Sequence, residues 1–121
     1  MITEEIQKTL YDYFAVLYTQ DLETFDQLFH PSCVLYTIQN GSVVVRPLAE
    51  YREIVKNRKS PKELNSLRND EILAIDVLSS DIVFAKVRLR LNDIVITDHL
   101  NLLKGNGKWT IASKLYLAQK S

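Results

Sequence analysis

The sequence has 121 residues, of which 46% are hydrophobic and 25% charged, with three glycines and three prolines. This composition disfavours disorder and predicts a single domain over residues 1–121. Fifteen basic and fifteen acidic residues cancel, which argues against nucleic acid and an anionic membrane as partners, because both attract an excess of positive charge.

The N-terminus carries two glutamates where a secretory signal needs positive charge, and no stretch reaches the length of a membrane span. Cys33 is the one cysteine, so an internal disulfide is impossible. We therefore expect a soluble, cytoplasmic protein. The spacing of His, Cys, Asp and Glu indicates no metal site, and no motif indicates a cofactor.

Two helices are predicted at the start of the chain. Apolar residues recur every three or four positions at Ile6, Leu10, Phe14 and Leu17, which is typical of an amphipathic helix ending near Thr19. Asp21 is suited to cap a second, shorter helix, which His30-Pro31 would end because the residue before a proline avoids the α region.

A hairpin, a third helix and four further strands follow. Asn40-Gly41 predicts a tight turn between two strands, and Pro47 opens a helix that Ser60-Pro61 breaks. From residue 69 the apolar period changes to two, and turns are expected at Asn92-Asp93 and at 105–107. Helices followed by strands favour an α+β fold with the helices on one sheet face.

The predicted turns give a register for the last strands. A three-residue turn at 105–107 places Asp98 opposite Lys114, and a two-residue turn at 92–93 places Val87 opposite Asp98. All three then lie on the covered face with Leu100, whereas His99 lies on the outer face. Two interpretations remain open: a structural ion pair, or a pair that orients a polar group of a ligand in a cavity between helices and sheet.

Three stretches, taken in order, resemble the nuclear transport factor 2-like superfamily: YFAVLYTQDLETFDQLFHPSCVLY, the Asn-Gly hairpin, and TDHLNLLKGNGKWTIASKLY. Within it the chain is most similar to the SnoaL-like and "putative lumazine-binding" group, in which a Gly-Lys-Trp-x-Ile strand ending in Ser-Lys is typical. The resemblance implies a cone-shaped fold, with helices on the concave face of a curved, mainly antiparallel sheet. It also implies a pocket inside the cone and dimers through the outer sheet face.

A more distant resemblance to ketosteroid isomerase provides a test at single residues. It aligns Tyr13 with that enzyme's oxyanion-hole tyrosine, Asp98 with its protonated aspartic acid, and Lys114 with a position that lines the pocket. The position of the general base falls on Thr37, which cannot abstract a proton at neutral pH. A nearby cation also favours ionised Asp98, so steroid isomerase activity is not expected.

The register predicts an apolar outer face that would form a homodimer interface. Its members are Phe84, Val95, Trp109, Ile111 and Leu115. The first functional hypothesis is binding of a flat or amphipathic small molecule in an apolar pocket. The residues predicted to bind it are Tyr13, Val87, Asp98, Leu100, Lys114 and Tyr116. One alternative is an isomerase, dehydratase or cyclase with Asp98 as the candidate catalytic acid or base, and another is a dimeric interaction scaffold.

Overall fold

The structure, a computed structural model, describes residues 1–120. Three helices and six strands follow one another in the chain. Their bounds are α1 (Ile2–Thr19), α2 (Leu22–Leu28), β1 (Phe29–Gln39), β2 (Ser42–Pro47), α3 (Leu48–Asn57), β3 (Glu71–Ser79), β4 (Ile82–Leu91), β5 (Ile94–Gly105) and β6 (Lys108–Lys120). Helix α2 ends two residues before His30, so that the predicted His30-Pro31 stop lies inside β1.

The six strands form one sheet in the order β2-β1-β6-β5-β4-β3. Only β1 and β6 run parallel, and each other neighbouring pair is antiparallel. The long connection through β2, α3 and the β3–β5 meander allows the parallel pair, which a tight hairpin could not join. Strand β6 thus lies near the middle of the sheet, between the N-terminal hairpin and the meander.

The helices cover one face of this curved sheet. Helix α1 buries Ile6, Leu10, Tyr13 and Leu17, which repeat at the helical period and therefore share one face. Alternate residues of β4 meet them: Val83, Ala85, Val87, Leu89 and Leu91 are all buried. The predicted α+β fold, with helices on the concave face of a mainly antiparallel sheet, is confirmed. No helix within residues 1–120 combines the length and apolar character needed to cross a membrane.

The turns determine the registers of the antiparallel β1–β2 and β4–β5 hairpins. Asn40 and Gly41 have φ values of 51° and 78°, as a two-residue type I′ turn requires. The β4–β5 turn also matches the prediction, because Leu91 faces Ile94 and Val87 faces Asp98.

The predicted β5–β6 register is wrong by two residues. Asn106 and Gly107 have φ values of 53° and 78° and form a two-residue turn, so that Gly105 rather than Lys104 faces Lys108. A second shift follows at a β-bulge, where Asn101 faces Ser113 but Leu102 faces Ile111. Ala112 is the extra residue, and beyond it the side chains of β6 exchange faces.

The two-residue turn explains why two predicted outer-face residues are in the core. Trp109 and Ile111 precede the bulge and face the helices, where they are 8% and 0% exposed. Their predicted place on the outer face is therefore wrong. Lys114 follows the bulge, and the two single-residue shifts cancel for its side chain, which lies on the covered face as predicted, although it faces Leu100 and not Asp98.

Candidate functional site

The candidate site is a buried polar cluster where α1 crosses the centre of the sheet. Asp98 lies on β5 between Val87 of β4 and Tyr116 of β6, and it is 0% exposed. Tyr13 reaches it from the buried face of α1, and Lys114 lies two residues before Tyr116 on β6. These groups stand in otherwise apolar surroundings, where an unpaired charge would be costly.

Hydrogen bonds connect the members of the cluster. The Tyr13 hydroxyl donates to Asp98 Oδ2 and accepts from Lys114 Nζ at 2.8 Å. Lys114 Nζ lies 3.5 Å from Asp98 Oδ1 and also donates to the Tyr51 hydroxyl of α3 at 3.4 Å. Asp98 Oδ1 accepts no hydrogen bond from the described residues. The positive charge of Lys114 therefore stabilises the negative charge on this oxygen.

Three tyrosine rings surround the Lys114 ammonium. Its Nζ lies 5.0 Å from the ring centroid of Tyr51, 5.3 Å from that of Tyr116 and 5.4 Å from that of Tyr13. At such distances the negative faces of the rings attract a cation. The ammonium therefore keeps its charge in a site that is almost closed to water.

Burial changes the acid–base properties of these groups. It raises the pKa of Asp98, although Lys114 and the Tyr13 hydrogen bond act in the opposite direction. Burial alone would lower the pKa of Lys114, but Asp98 and Tyr51 outweigh it and the pKa is raised. Burial and the Asp98 charge raise the pKa of Tyr13 far above its usual value.

Both pKa values are raised, but the two shifts act differently on the pair: the shift of Lys114 favours its charged form, whereas the shift of Asp98 favours its neutral form. The geometry favours the charged pair at neutral pH, because the ammonium and the Tyr13 hydroxyl both stabilise the carboxylate. Lys114 is therefore a cation and is not a base or a nucleophile.

A cleft of about 230 Å³ opens beside Lys114 between α3 and the ends of β4, β5 and β6. Its apolar walls are formed by Ile54, Leu91, Ile94, Ile96 and Ala118, and its polar lining by Arg46, Tyr51, Arg58, Asn92, Lys114 and Tyr116. Asp98 and Tyr13 do not line it and lie beneath Lys114. The cleft therefore has apolar sides and a cationic floor, a common arrangement in sites for small molecules.

Two arginines complete the polar side of the cleft. Arg46 Nη1 pairs with Glu50 at 2.8 Å, and its Nε donates to the Tyr116 hydroxyl at 3.3 Å. Arg58 Nε donates to Gln20 Oε1 at 2.9 Å. Arg58 Nη2 is buried and has no hydrogen-bond partner among the described residues.

The structure brings four of the predicted site residues together: Tyr13, Asp98, Lys114 and Tyr116. Val87 and Leu100 are 0% exposed and do not line the cleft, so they support Asp98 and Lys114 from the core. Sequence reasoning missed both cleft arginines. Arg46 follows a run of valines in an exposed edge strand, and Arg58 follows the last turn of α3, where no periodic pattern specifies the direction of a side chain.

The position expected to hold a general base is occupied by a hydrogen-bonded hydroxyl. Thr37 Oγ1 donates to the Tyr116 backbone carbonyl at 2.6 Å. The residues that line the cleft include no carboxylate and no imidazole. Proton abstraction from a molecule in the cleft would therefore lack a base at neutral pH.

The outer face of the sheet carries an apolar patch on β2, β1 and β6. We call it the outer patch; it consists of Tyr36, Ile38, Val43, Val45, Leu115 and Leu117, each between 36% and 69% exposed. Leu115 was predicted to lie there. Phe84 and Val95 are half-buried on other strands, and the Phe84 ring packs edge-on against His99.

The sequence matches a family model described as "Putative lumazine-binding" over residues 2–117. No curated protein is similar to it at a significant level. Within residues 1–120, no group of three or more His, Cys, Asp and Glu side chains could hold a metal ion.

Solved structures share the fold over almost the whole chain. A nuclear transport factor 2-like protein of unknown function from Shewanella baltica OS155 is 22% identical, with a TM-score of 0.85, and the match covers 98% of this chain and 94% of that one. A similar protein from Silicibacter pomeroyi DSS-3 is 15% identical, with a TM-score of 0.85 and coverage of 97% and 95%.

A ketosteroid isomerase-like protein from Erwinia carotovora atroseptica is 14% identical, with a TM-score of 0.73 and coverage of 98% and 96%. At these identities the likeness concerns the fold alone. The family match, the order of the strands and the helices on the concave face agree with one another. The chain has the nuclear transport factor 2-like fold, and it belongs to the "Putative lumazine-binding" family.

Proposed function

We propose that this protein binds a flat or amphipathic small molecule in the cleft beside Lys114. The observation that carries the proposal is the buried cluster of Asp98, Lys114 and Tyr13, which adjoins an apolar cleft that Lys114 helps to line. A buried polar cluster that served stability alone would not need a cleft beside it. The family description points to a lumazine, a flat heterocycle, as one compound to test.

Binding without chemical conversion is favoured over an isomerase, dehydratase or cyclase. The cleft lacks a carboxylate or imidazole lining residue, and Asp98 is separated from it by Lys114 and the tyrosines. An enzyme of these classes needs a base within reach of the substrate proton. The polar groups that remain are suited to orient a ligand.

The proposal is tested by thermal shift with lumazine and a set of aromatic heterocycles. A ligand that binds only the folded protein adds about 2.7 kcal/mol of stability at a concentration of about 100 Kd. Ala118→Trp should abolish the shift, because Ala118 is an exposed residue that lines the cleft and an indole there fills the space.

The matched control is Gln119→Trp, which adds the same ring to the opposite face of β6. It should leave the shift unchanged. A screen without any stabilising compound, or a shift that survives Ala118→Trp, would contradict the proposed binding site.

We also propose that the chain forms a homodimer through the outer patch. Ile38 is 61% exposed, Val43 69% and Leu115 53%, and they are contiguous because Ile38 faces Val43 and Tyr36 faces Leu115. Apolar patches of this kind on a sheet surface mark interfaces, and a two-fold dimer covers the same patch on both copies. This assembly is compatible with the cleft, which opens on the other side of the sheet.

A further inference from the structure

The proposed ligand site carries more positive than negative charge. Arg46, Arg58 and Lys114 line the cleft, whereas the neighbouring carboxylates are Glu50 on Arg46 and Asp98 on Lys114. Three cations less two anions leave one positive charge. The cation without a carboxylate partner among the described residues is Arg58.

The side chain of Gln20, at the end of α1, fixes the position of Arg58 through hydrogen bonds. Gln20 ends α1 with a φ of 60°, and its Nε2 donates to the Val55 and Arg58 carbonyl oxygens, both at 2.7 Å. Its Oε1 accepts from Arg58 Nε. Backbone and guanidinium of Arg58 are therefore held by one side chain, which limits the entropy lost when the guanidinium binds a partner.

Arg58 has hydrogen-bonding capacity that the protein leaves unused. Its Nη2 is buried and donates to no acceptor in residues 1–120. An unsatisfied buried donor is unfavourable and uncommon in native proteins. The Arg58 side chain lines the cleft, so a carboxylate bound there can pair with its positive charge.

The rest of the lining limits the chemistry of the bound molecule. Ile54, Ile94 and Ile96 line the same cleft as Arg58, so we expect the body of the ligand to be apolar. One unmatched positive charge is neutralised by one negative charge, which corresponds to a single carboxylate.

We infer that the cleft binds carboxylic acids with an apolar, flat body, and that Arg58 pairs with their carboxylate. This inference rests on the proposed function and adds the class of the ligand. The apolar body lies against Ile54, Ile94 and Ile96, and the acid group points towards the arginine. Gln20 acts as a positioning residue, because it contacts Arg58 and not the ligand.

The experiment compares 2-naphthoate with 2-naphthamide, which have the same ring and nearly the same shape but differ in charge. Both are titrated into the full chain by calorimetry at neutral pH. The acid is expected to bind about tenfold or more tightly than the amide, since a hydrogen bond to a charged group is stronger than a neutral one. Its affinity should fall with rising salt, whereas that of the amide should not.

Arg58→Gln should remove the preference for the acid, because Gln retains a hydrogen-bond donor and removes the positive charge. Lys56→Gln is the matched control: Lys56 is exposed on α3, two residues before Arg58, and does not line the cleft. It makes the same change in net charge, and the preference should persist. In the wild type, the Nε–H signal of Arg58 in an NMR spectrum should shift with the acid and stay in place with the amide.

The outcomes separate the two proposals. Equal affinities of the acid and the amide for the wild type overturn the inference about Arg58 and leave the small-molecule site standing. Binding of neither compound counts against both. A preference that persists in Arg58→Gln, with a melting curve like that of the wild type, also overturns the role of Arg58. The wild-type comparison decides the question even where the variant fails to fold.

Discussion

Removing either charge of the buried pair should change the pH dependence of stability, and the two removals should act in opposite directions. Asp98→Asn keeps an acceptor for the Tyr13 hydroxyl but leaves the Lys114 ammonium without a counter-charge. Lys114→Met keeps most of the side-chain volume but leaves the Asp98 carboxylate without a cation. Breaking a buried ion pair in this way costs roughly 3–5 kcal/mol, and the side chains here are 0% and 3% exposed.

The sign of each pH dependence follows from the unpaired group. In Lys114→Met, burial raises the pKa of Asp98 further above the usual value of 3.8. The native state then keeps a proton that the unfolded chain has released, so that stability falls as pH rises above about 4. The slope reaches at most about 1.4 kcal/mol per pH unit.

In Asp98→Asn the buried ammonium loses its partner, and burial lowers the pKa of Lys114 below its usual value of 10.5. The unfolded chain now binds the proton more tightly than the native state does, so that stability rises with pH towards that value. The free energy of unfolding is measured by urea denaturation, with Trp109 fluorescence and circular dichroism as probes, at a series of pH values.

The double variant Asp98→Asn with Lys114→Met provides the control. It carries neither charge, so it should lose both pH dependences and be more stable than either single variant at neutral pH. Equal pH profiles for all four proteins, or single variants that each cost less than about 1 kcal/mol, would refute the buried ion pair.

Three further predictions concern other groups. Because burial raises the pKa of Tyr13, the native state keeps a proton that an unfolded tyrosine loses near pH 10.0. The stability of the wild type should therefore fall more steeply above that pH than the stability of Tyr13→Phe. Parallel curves of stability against pH would contradict this prediction. Burial raises the pKa of the Cys33 thiol to about 11. The thiol should therefore react with a disulfide reagent at pH 8 only in proportion to the fraction of unfolded protein. Rapid reaction of the native protein would disprove the burial of Cys33. Leu115→Glu places a charge in the outer patch and should convert a dimer to a monomer in size-exclusion chromatography with light scattering, whereas a monomeric wild type at micromolar concentration would exclude the proposed dimer.

The fold could be predicted where local signals determine it. The alternation in β4 and the Asn92-Asp93 turn gave the correct β4–β5 register, since both depend on residues adjacent in sequence. Asp21 caps α2 by accepting from the Glu23 backbone N–H, as its residue type suggested. The family resemblance supplied the arrangement of helices and sheet that local patterns could not determine.

The β5–β6 register could not be predicted because two local features combined. Gly105, Asn106 and Gly107 are compatible with a turn of two or three residues, and Ala112 carries no sequence signal for a bulge. Each feature shifts the register by one residue. The face of Lys114 was therefore predicted correctly through two compensating errors, whereas Trp109 lies between the two shifts and was misplaced.

Local sequence patterns could not predict the cleft. Tyr51 is buried on α3, but its hydroxyl contact with Lys114 depends on how α3 lies across the sheet. The direction of Arg58 depends on Gln20, which is 38 residues earlier in the chain. Contacts between residues so distant in sequence follow from tertiary packing alone.

The hydrogen bonds between Gln20 and the end of α3 also have a consequence for dynamics. The Gln20 amide closes the last turn of α1 by donating to the Val16 carbonyl at 2.6 Å, while the Gln20 side chain holds the end of α3. Fraying of α1 must therefore release Arg58 at the same time. A molecule bound to Arg58 should slow hydrogen exchange of the Gln20 amide, on a helix that does not line the cleft, because opening of that turn becomes linked to ligand release.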